Sequence, residues 1–128
     1  MNTAMVIDDS RAMRAILARM LRALGFDVVE AANGQDALDR LKHMRDLPAV
    51  ALVAWNMPVM NGLDFVTQVR ARDEWRNIAL MMVTTESEYS QIVRALAAGA
   101  HEYVIKPFTE DAIAEKLALL GIVAGSMA

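Results

Sequence analysis

The chain has 128 residues, a hydrophobic fraction of 55% and a formal net charge of -3. These values fit one well-packed domain and argue against intrinsic disorder and against non-specific nucleic-acid binding as its main role. The absence of cysteine excludes disulfides, thiolate chemistry and cysteine-ligated zinc. No apolar run is long enough to span a membrane and no signal-peptide pattern follows Met1, so we expect a cytoplasmic protein without a membrane role.

Short apolar runs alternate with segments of helical periodicity along the chain. The runs predict five strands, at residues 4–7, 26–31, 50–54, 78–83 and 102–105. Apolar residues spaced by three or four positions predict five helices, near 13–24, 37–44, 63–69, 92–97 and 113–120. Asp9 or Ser10 should cap the first helix and Thr109 the last. We expect one domain over residues 1–128, with its core at about 4–120, loops at 84–88 and 106–108, and a weakly patterned tail from Gly121.

Five repeats of strand and helix with short connections predict a parallel sheet covered by helices on both faces. In such sheets the binding site lies at the carboxyl ends of the strands. Asp8 and Asp9 follow the first strand, Ala54 ends the third, Thr84 follows the fourth and Lys106 follows the fifth. We therefore expect these residues to meet at one rim of the sheet.

Each polar residue at this rim also has an ordinary explanation when taken alone. Asp8-Asp9 could hold a hard cation such as Mg²⁺, or simply favour a helix N-terminus, with about equal weight. Lys106 precedes Pro107, which allows a tight cis peptide, and could pair with a carboxylate or a phosphoryl oxygen, although most single lysines are surface residues. Thr84 could donate to a phosphoryl oxygen or act as a cap, and core packing is the default role for Tyr103.

In combination, the motifs closely resemble those of response-regulator receiver domains, the phosphoacceptor modules of two-component signalling. The matching motifs are Asp8-Asp9, Trp55-Asn56-Met57-Pro58, Thr84, Ala98-Gly99-Ala100, Tyr103 and Lys106-Pro107-Phe108. The resemblance extends from Ala4 to about Leu120 and is strongest to single-domain chemotaxis receivers. It implies a flavodoxin-like, doubly wound α/β fold, with five parallel strands in the order 2-1-3-4-5 and five helices.

The resemblance also implies a role for each rim residue. Asp8, Asp9 and the backbone carbonyl of Asn56 would hold Mg²⁺, and Lys106 would contact the phosphoryl group or its acceptor. Thr84 would move toward the phosphoryl group on activation. Asn56 also matches a position that tunes dephosphorylation in the family.

A second set of implied roles concerns output. Tyr103 would turn inward as Thr84 moves, and this would alter the face made by the fourth helix, fifth strand and fifth helix. The expected partners are a histidine kinase or phosphotransfer protein, and a downstream protein that binds this face, with no direct contact to nucleic acid. Glu86 matches a second position that tunes dephosphorylation.

Position 54 departs from the family, because the resemblance places the phosphoacceptor aspartate there and this chain has alanine. A methyl group can neither accept a phosphoryl group nor ligate Mg²⁺, so we expect no phosphorylation at Ala54 and weaker metal binding. An engineered aspartate-to-alanine change is favoured, since every other element of the phosphoryl chemistry is present. The alternative is a natural pseudo-receiver that acts as a phosphorylation-independent docking module.

Other functions fit the residues less well. A Mg²⁺-dependent phosphatase of similar topology needs a second aspartate two residues after the first, and Asp8-Asp9 lacks that spacing, so we expect no enzyme. A flavin site would need a phosphate loop rich in Ser, Thr and Gly after the first strand. The basic face of the first helix, Arg11, Arg14 and Arg22, either docks a kinase or is simply solvated. No output segment is visible, so the chain is expected to be a stand-alone receiver or a fragment that ends after one.

Overall fold

The computed structural model describes residues 2–85 and 89–122. In these ranges the strands are β1 (Thr3–Ile7), β2 (Asp27–Ala31), β3 (Val50–Ala54), β4 (Ala79–Thr85) and β5 (Glu102–Lys106). The α-helices are α1 (Arg11–Ala23), α2 (Gly34–His43), α3 (Gly62–Arg70), α4 (Tyr89–Ala98) and α5 (Glu110–Leu119), and a short 3-10 helix, Asp73–Trp75, precedes β4. No helix in the described ranges is long and apolar enough to cross a bilayer.

All strand pairs are parallel, in the order β2-β1-β3-β4-β5, which confirms the predicted α/β fold. The register aligns Ile7 of β1 with Val53 of β3, and Ala54 of β3 with Val83 of β4. Lys106 of β5 is aligned with Thr85 of β4. The carboxyl ends of these four strands therefore reach the same edge of the sheet, as the sequence predicts.

The sheet divides the interior into two apolar cores. Ala51 and Val53 of β3 face a core that includes Phe65 of α3, whereas Leu52 faces a core that includes Leu17 of α1. Since β3 is covered on both faces, all five of its residues are buried. This explains why the strand reads as a continuous apolar run.

Four helices begin with a side chain that accepts a hydrogen bond from the first turn. The capping residues are Ser10 for α1, Asn33 for α2, Asn61 for α3 and Thr109 for α5. The caps at Ser10 and Thr109 confirm the sequence prediction. Asn33 and Asn61 likewise satisfy helix N–H groups that would otherwise lack a partner.

The loop predicted from Thr84 begins too early, because β4 continues through Thr85. Thr84 and Thr85 pair with Ile105 and Lys106 of β5, so backbone pairing overrides the polar character of these threonines. The remainder of that loop, including Glu86, lies outside the described residues. Of the predicted tail, Gly121 and Ile122 are described, and residues 123–128 are not.

Candidate functional site

Asp8 lies at the end of β1, and each of its polar groups except one carboxylate oxygen makes a hydrogen bond. Its side chain is 3% exposed and its Oδ1 accepts a hydrogen bond from the Ser10 N–H at 2.8 Å. The backbone N–H of Asp8 donates to the Ala31 carbonyl at 3.2 Å, and the Asp8 carbonyl accepts from Arg14 Nη1 at 2.7 Å. Oδ2 is buried and has no hydrogen-bond partner in the described part of the chain. A buried, unpartnered carboxylate oxygen fits a cation ligand.

The electrostatic surroundings of Asp8 support the same interpretation. Burial raises the pKa of Asp8 above its usual value; the Ser10 N–H and the charge of Lys106 oppose this rise, and Asp9 adds to it. The ionised carboxylate is therefore held at a cost in free energy. A cation at Oδ2 would relieve that cost.

The donor set around Asp8 fits Mg²⁺, but it is one carboxylate short. Asp9 is exposed beside Asp8, and Asn56 lies in the loop after β3. Within residues 2–85 and 89–122, no three acidic or histidine side chains come together as a metal cluster. Carboxylate and carbonyl oxygens are the ligands that Mg²⁺ prefers, and it commonly keeps several waters. The residues therefore fit a Mg²⁺ ion with reduced protein ligation.

The loop after β3 folds back tightly on Ala54. Ala54 is buried, and the Gly62 N–H donates to the Trp55 carbonyl at 2.9 Å. A Cβ added at Gly62 would lie 2.5 Å from the Ala54 carbonyl oxygen and 2.9 Å from Met82 Cε. Position 62 therefore accepts only glycine without a shift of the backbone, which explains the Asn61-Gly62 pair at this turn.

The same loop contains a strained residue that the sequence analysis missed. Val59 has a φ of 69° and is 80% exposed. A β-branched residue rarely adopts this left-handed conformation. The sequence gives no sign of this left-handed conformation, because valine is rarely found at a position with a positive φ.

Thr84 and Lys106 bring a hydroxyl and an ammonium to the Asp8–Ala54 rim. Thr84 is 2% exposed and follows Val83, the register partner of Ala54. Its hydroxyl donates to the Thr85 carbonyl at 3.3 Å, a long bond. Lys106 ends β5 and is close enough for its charge to lower the pKa of Asp8. The Lys106-Pro107 peptide is cis, as the sequence analysis allowed.

Tyr103 lies three residues before Lys106 on the same strand. It is half-buried and packs against the core that includes Phe65, so the default prediction of core packing is correct in part. Lys116 of α5 places its Nζ 4.8 Å from the ring centroid and 3.0 Å from Glu102 Oε1. The salt bridge between Glu102 of β5 and Lys116 of α5 joins residues 14 positions apart. No local pattern in the sequence predicts it.

The prediction of a basic face on α1 needs a correction at Arg14. Its side chain is 17% exposed, and its guanidinium contacts the Asp8 carbonyl at 2.7 Å and Glu30 Oε1 at 3.4 Å. Arg14 therefore holds Asp8 in place and is not simply solvated. Arg11 and Arg22 are exposed, as expected for the remainder of that face.

A second polar cluster lies at the opposite edge of the sheet and was also missed. Arg70 donates to the carbonyl oxygens of Gly99 at 3.0 Å, Arg76 at 3.0 Å and Ile78 at 2.6 Å. Its Nη2 lies 3.3 Å from His101 Nδ1, which also accepts from a backbone N–H of β4. Burial, and then the charge of Arg70, lower the pKa of His101. We assign this cluster a structural role, since it joins the entries to β4 and β5.

Comparison with known proteins identifies the family. A family model described as "Response regulator receiver domain" matches residues 4–118. Chemotaxis protein CheY1 of Helicobacter pylori strain J99 is 43% identical over 114 residues, which cover 88% of this chain and 91% of that protein. Chemotaxis protein CheY-3 of Vibrio cholerae is 40% identical, with 88% and 86% covered.

Solved structures agree with the sequence comparison. The structure of Vibrio cholerae chemotaxis protein CheY4 matches with a TM-score of 0.84 at 30% identity, covering 93% of this chain and 98% of that one. A putative response regulator from Chloroflexus aurantiacus has a TM-score of 0.86 at 24% identity and covers 93% and 96%, which supports the fold alone.

Receiver domains act as signalling regulators: they interact with histidine kinases and downstream targets, and they generally bind Mg²⁺ at an acidic phosphorylation site. In this chain an acidic pair, a threonine and a lysine follow or end strands whose carboxyl ends reach the same rim as Ala54. The chain belongs to the response-regulator receiver domain family, and it is a CheY-like receiver of two-component signalling.

Proposed function

We propose that this chain is the receiver of a two-component phosphorelay in a form that cannot be phosphorylated, and that Ala54 stands where the acceptor aspartate belongs. The observation that carries the proposal is the buried Oδ2 of Asp8, which has no hydrogen-bond partner among the described residues and lies within electrostatic reach of Lys106. The two residues are at the rim where Ala54 ends β3.

In this proposal Asp8, Asp9 and the backbone carbonyl of Asn56 would hold Mg²⁺, which would supply positive charge for a phosphoryl group. The protein contributes the orientation of these groups. The Ser10 N–H fixes Oδ1 of Asp8 and Arg14 fixes its backbone carbonyl, so that Oδ2 remains available for the metal. Asp9 is exposed and adds a second acidic oxygen.

In a chain with the acceptor aspartate, Lys106 and Thr84 would contact the phosphoryl group itself. An ammonium on a strand end neutralises phosphoryl charge, and a hydroxyl adds a hydrogen bond. With alanine at position 54 there is no carboxylate to attack phosphorus, so phosphoryl transfer stops at its first step although the remaining machinery is present. Lys106 also lacks the ion-pair partner that an aspartate at position 54 would supply.

With an aspartate at position 54, the output would be a change in protein contacts at the face made by α4, β5 and α5. Thr84 would move toward the phosphoryl group, and Tyr103 would then turn into the space it leaves, against the restraint of Lys116. A histidine kinase or phosphotransfer protein acts upstream, and a downstream protein reads this face. We place the chain in the cytoplasm as a single domain over residues 1–128, without catalytic output of its own and without direct nucleic-acid or membrane contact.

The test restores the acceptor by Ala54→Asp and supplies acetyl phosphate with Mg²⁺. We expect a mass gain of one phosphoryl group in Ala54→Asp and none in the unchanged chain or in Ala54→Asn, which has the same shape without a nucleophile. This result would also favour replacement of an aspartate in an otherwise competent receiver. A folded Ala54→Asp protein that binds Mg²⁺ and stays unmodified would contradict the proposal.

A phosphorylation-independent docking module is the second candidate, favoured by Ala54 itself and by exposed apolar side chains on α4. Val93 is 68% and Leu96 is 38% exposed in the described structure. Binding of one partner to this chain and to phosphorylated Ala54→Asp separates the two functions. Equal affinities would support the docking module, whereas a preference for the phosphorylated form would support the phosphorelay.

A further inference from the structure

We propose that Glu102 and Lys116 are positioning residues for Tyr103, and that together they hold its ring where it lies in this structure. The inference rests on the proposed function, in which Tyr103 is the residue that changes the α4–β5–α5 face. It goes further in naming the side chains that keep this face in one state while no phosphoryl group is present. A chain with alanine at position 54 would then stay in that state, because nothing draws Tyr103 away from Lys116.

Glu102 is anchored to the backbone at the open edge of the sheet. β5 pairs with β4 alone, so it is an edge strand, and an edge strand leaves backbone groups without a partner on a neighbouring strand. The Tyr103 N–H donates to Glu102 Oε1 at 3.0 Å. This hydrogen bond fixes the carboxylate of Glu102 beside the residue that follows it.

The same carboxylate oxygen holds Lys116 of α5. Lys116 Nζ lies 3.0 Å from Glu102 Oε1, and the two side chains are 29% and 19% exposed. An ion pair that is largely shielded from water is screened less by salt than a pair on the open surface. Glu102 therefore limits the Lys116 ammonium to a small region beside the edge of β5.

Lys116 links the two faces of the sheet. The next residue of α5, Leu117, packs in the core that includes Leu17, whereas Tyr103 packs against the core that includes Phe65. Lys116 crosses the edge of β5 between these cores and places its Nζ 4.8 Å from the centroid of the Tyr103 ring. A cation at this distance is attracted by the face of an aromatic ring. The Tyr103 ring is thereby held from the side of α5.

A turn of Tyr103 toward the space left by Thr84 would take its ring away from Lys116 Nζ. The cation–π contact therefore favours the present ring position, and at a partly exposed site one such contact changes a two-state ratio by about two- to fivefold. Glu102 acts through Lys116, since its carboxylate contacts the Tyr103 N–H and the Lys116 ammonium. The state of the output face is thus biased by an ion pair outside the phosphorylation rim.

The experiment measures how accessible the Tyr103 ring is to a photoexcited flavin dye, from the dye-induced enhancement of its NMR signals. The chain has two tyrosines, and Tyr89→Phe assigns their signals. In Lys116→Met and in Glu102→Gln the ratio of the inward to the present ring position should rise about two- to fivefold, so the enhancement at Tyr103 should fall. Two controls should leave the enhancement unchanged: Lys116→Arg, which keeps a cation over the ring, and Lys42→Met, which removes an exposed lysine of α2.

The sign and the additivity of the effects separate positioning from simple covering of the ring. If Lys116 only covered Tyr103, its loss would expose the ring and raise the enhancement. The double variant Glu102→Gln/Lys116→Met should match Lys116→Met alone, because Glu102 acts through Lys116. A raised or unchanged enhancement in folded Lys116→Met, or additive effects in the double variant, would overturn the inference.

The proposed function has a separate readout, the incorporation of a phosphoryl group. If Ala54→Asp accepts a phosphoryl group while the enhancement at Tyr103 is the same in every folded variant, the receiver function stands and the positioning role is refuted. If the enhancement changes as expected while a folded, Mg²⁺-binding Ala54→Asp protein stays unmodified, the positioning role stands and the phosphorelay is refuted.

Discussion

The Asp8→Asn variant should be more stable than the unchanged chain without a metal and should lose that advantage when Mg²⁺ is added. Asp8 is 3% exposed, one of its oxygens has no partner among the described residues, and burial is the main cause of its raised pKa. The asparagine amide can keep the hydrogen bond from the Ser10 N–H and also lacks a partner at its second atom, but it has no charge. It therefore avoids the cost of burying a carboxylate, which the attraction of Lys106 offsets only in part. We therefore expect a gain of about 1 kcal/mol in the free energy of unfolding.

The pH dependence follows from the direction of the pKa shift. Because the folded state raises the pKa of Asp8, folding favours the protonated acid. This contribution is fully present below the unfolded pKa of about 3.9 and is lost as the pH rises through the folded pKa. The advantage of Asp8→Asn should accordingly be small in acid and grow toward neutral pH.

Mg²⁺ should make the unchanged chain the more stable of the two proteins, because a ligand that binds the folded state adds stability by mass action. At a concentration ten times its dissociation constant the metal adds about 1.4 kcal/mol to the unchanged chain and much less to Asp8→Asn. The assay is urea unfolding at neutral pH, first with EDTA and then with Mg²⁺. A variant less stable than the unchanged chain in EDTA, with an unaltered slope of the unfolding free energy against urea, would refute the reasoning.

Three further predictions concern residues away from the metal ligands. Arg70→Lys should lower the free energy of unfolding by about 2–4 kcal/mol, because an ammonium cannot reach the three separate carbonyl oxygens that the guanidinium contacts. The control Arg19→Lys, at an exposed position, should change the free energy of unfolding by less than about 0.5 kcal/mol in the same urea assay. Val59→Asn should raise the melting temperature, since asparagine tolerates a positive φ at a cost about 1 kcal/mol lower than valine, and an unchanged or lower melting temperature would contradict the assigned strain. His101 has a lowered pKa, so the unfolded chain takes up its proton first and stability should fall as the pH drops below about 6.5. Urea unfolding at several pH values should show a smaller fall in His101→Asn, and an equal fall in both proteins would count against this role.

Much of the fold could be predicted because apolar pattern and burial agree. The prediction for β3 is correct to the residue, since a strand covered on both faces must be apolar throughout. The prediction for β4 ended early at Val83, because Thr84 and Thr85 are polar and only their pairing with β5 keeps them in the strand. Periodicity describes side chains, whereas this boundary depends on the backbone of a distant segment.

The site, like the fold, could be predicted only in part from its side chains. The rule that ligands bind at the carboxyl ends of parallel strands predicts from the sequence that Asp8, Ala54, Thr84 and Lys106 share one rim. The contacts of Arg14 with Asp8 and of Arg70 could not be predicted, because the acceptors are backbone carbonyl oxygens, which carry no signature in the sequence. Residue types thus indicate where the chemistry lies, and the structure shows what holds it in place.

Phosphoryl incorporation into Ala54→Asp is the most direct test of the central claim that this rim is a receiver site lacking only its acceptor. Acetyl phosphate and Mg²⁺ are supplied to Ala54→Asp, to Ala54→Asn and to the unchanged chain, and intact mass is measured. The account predicts a gain of one phosphoryl group in the aspartate variant alone, dependent on Mg²⁺ and on Lys106. Incorporation into the unchanged chain, or none into a folded, Mg²⁺-binding Ala54→Asp protein, would contradict it.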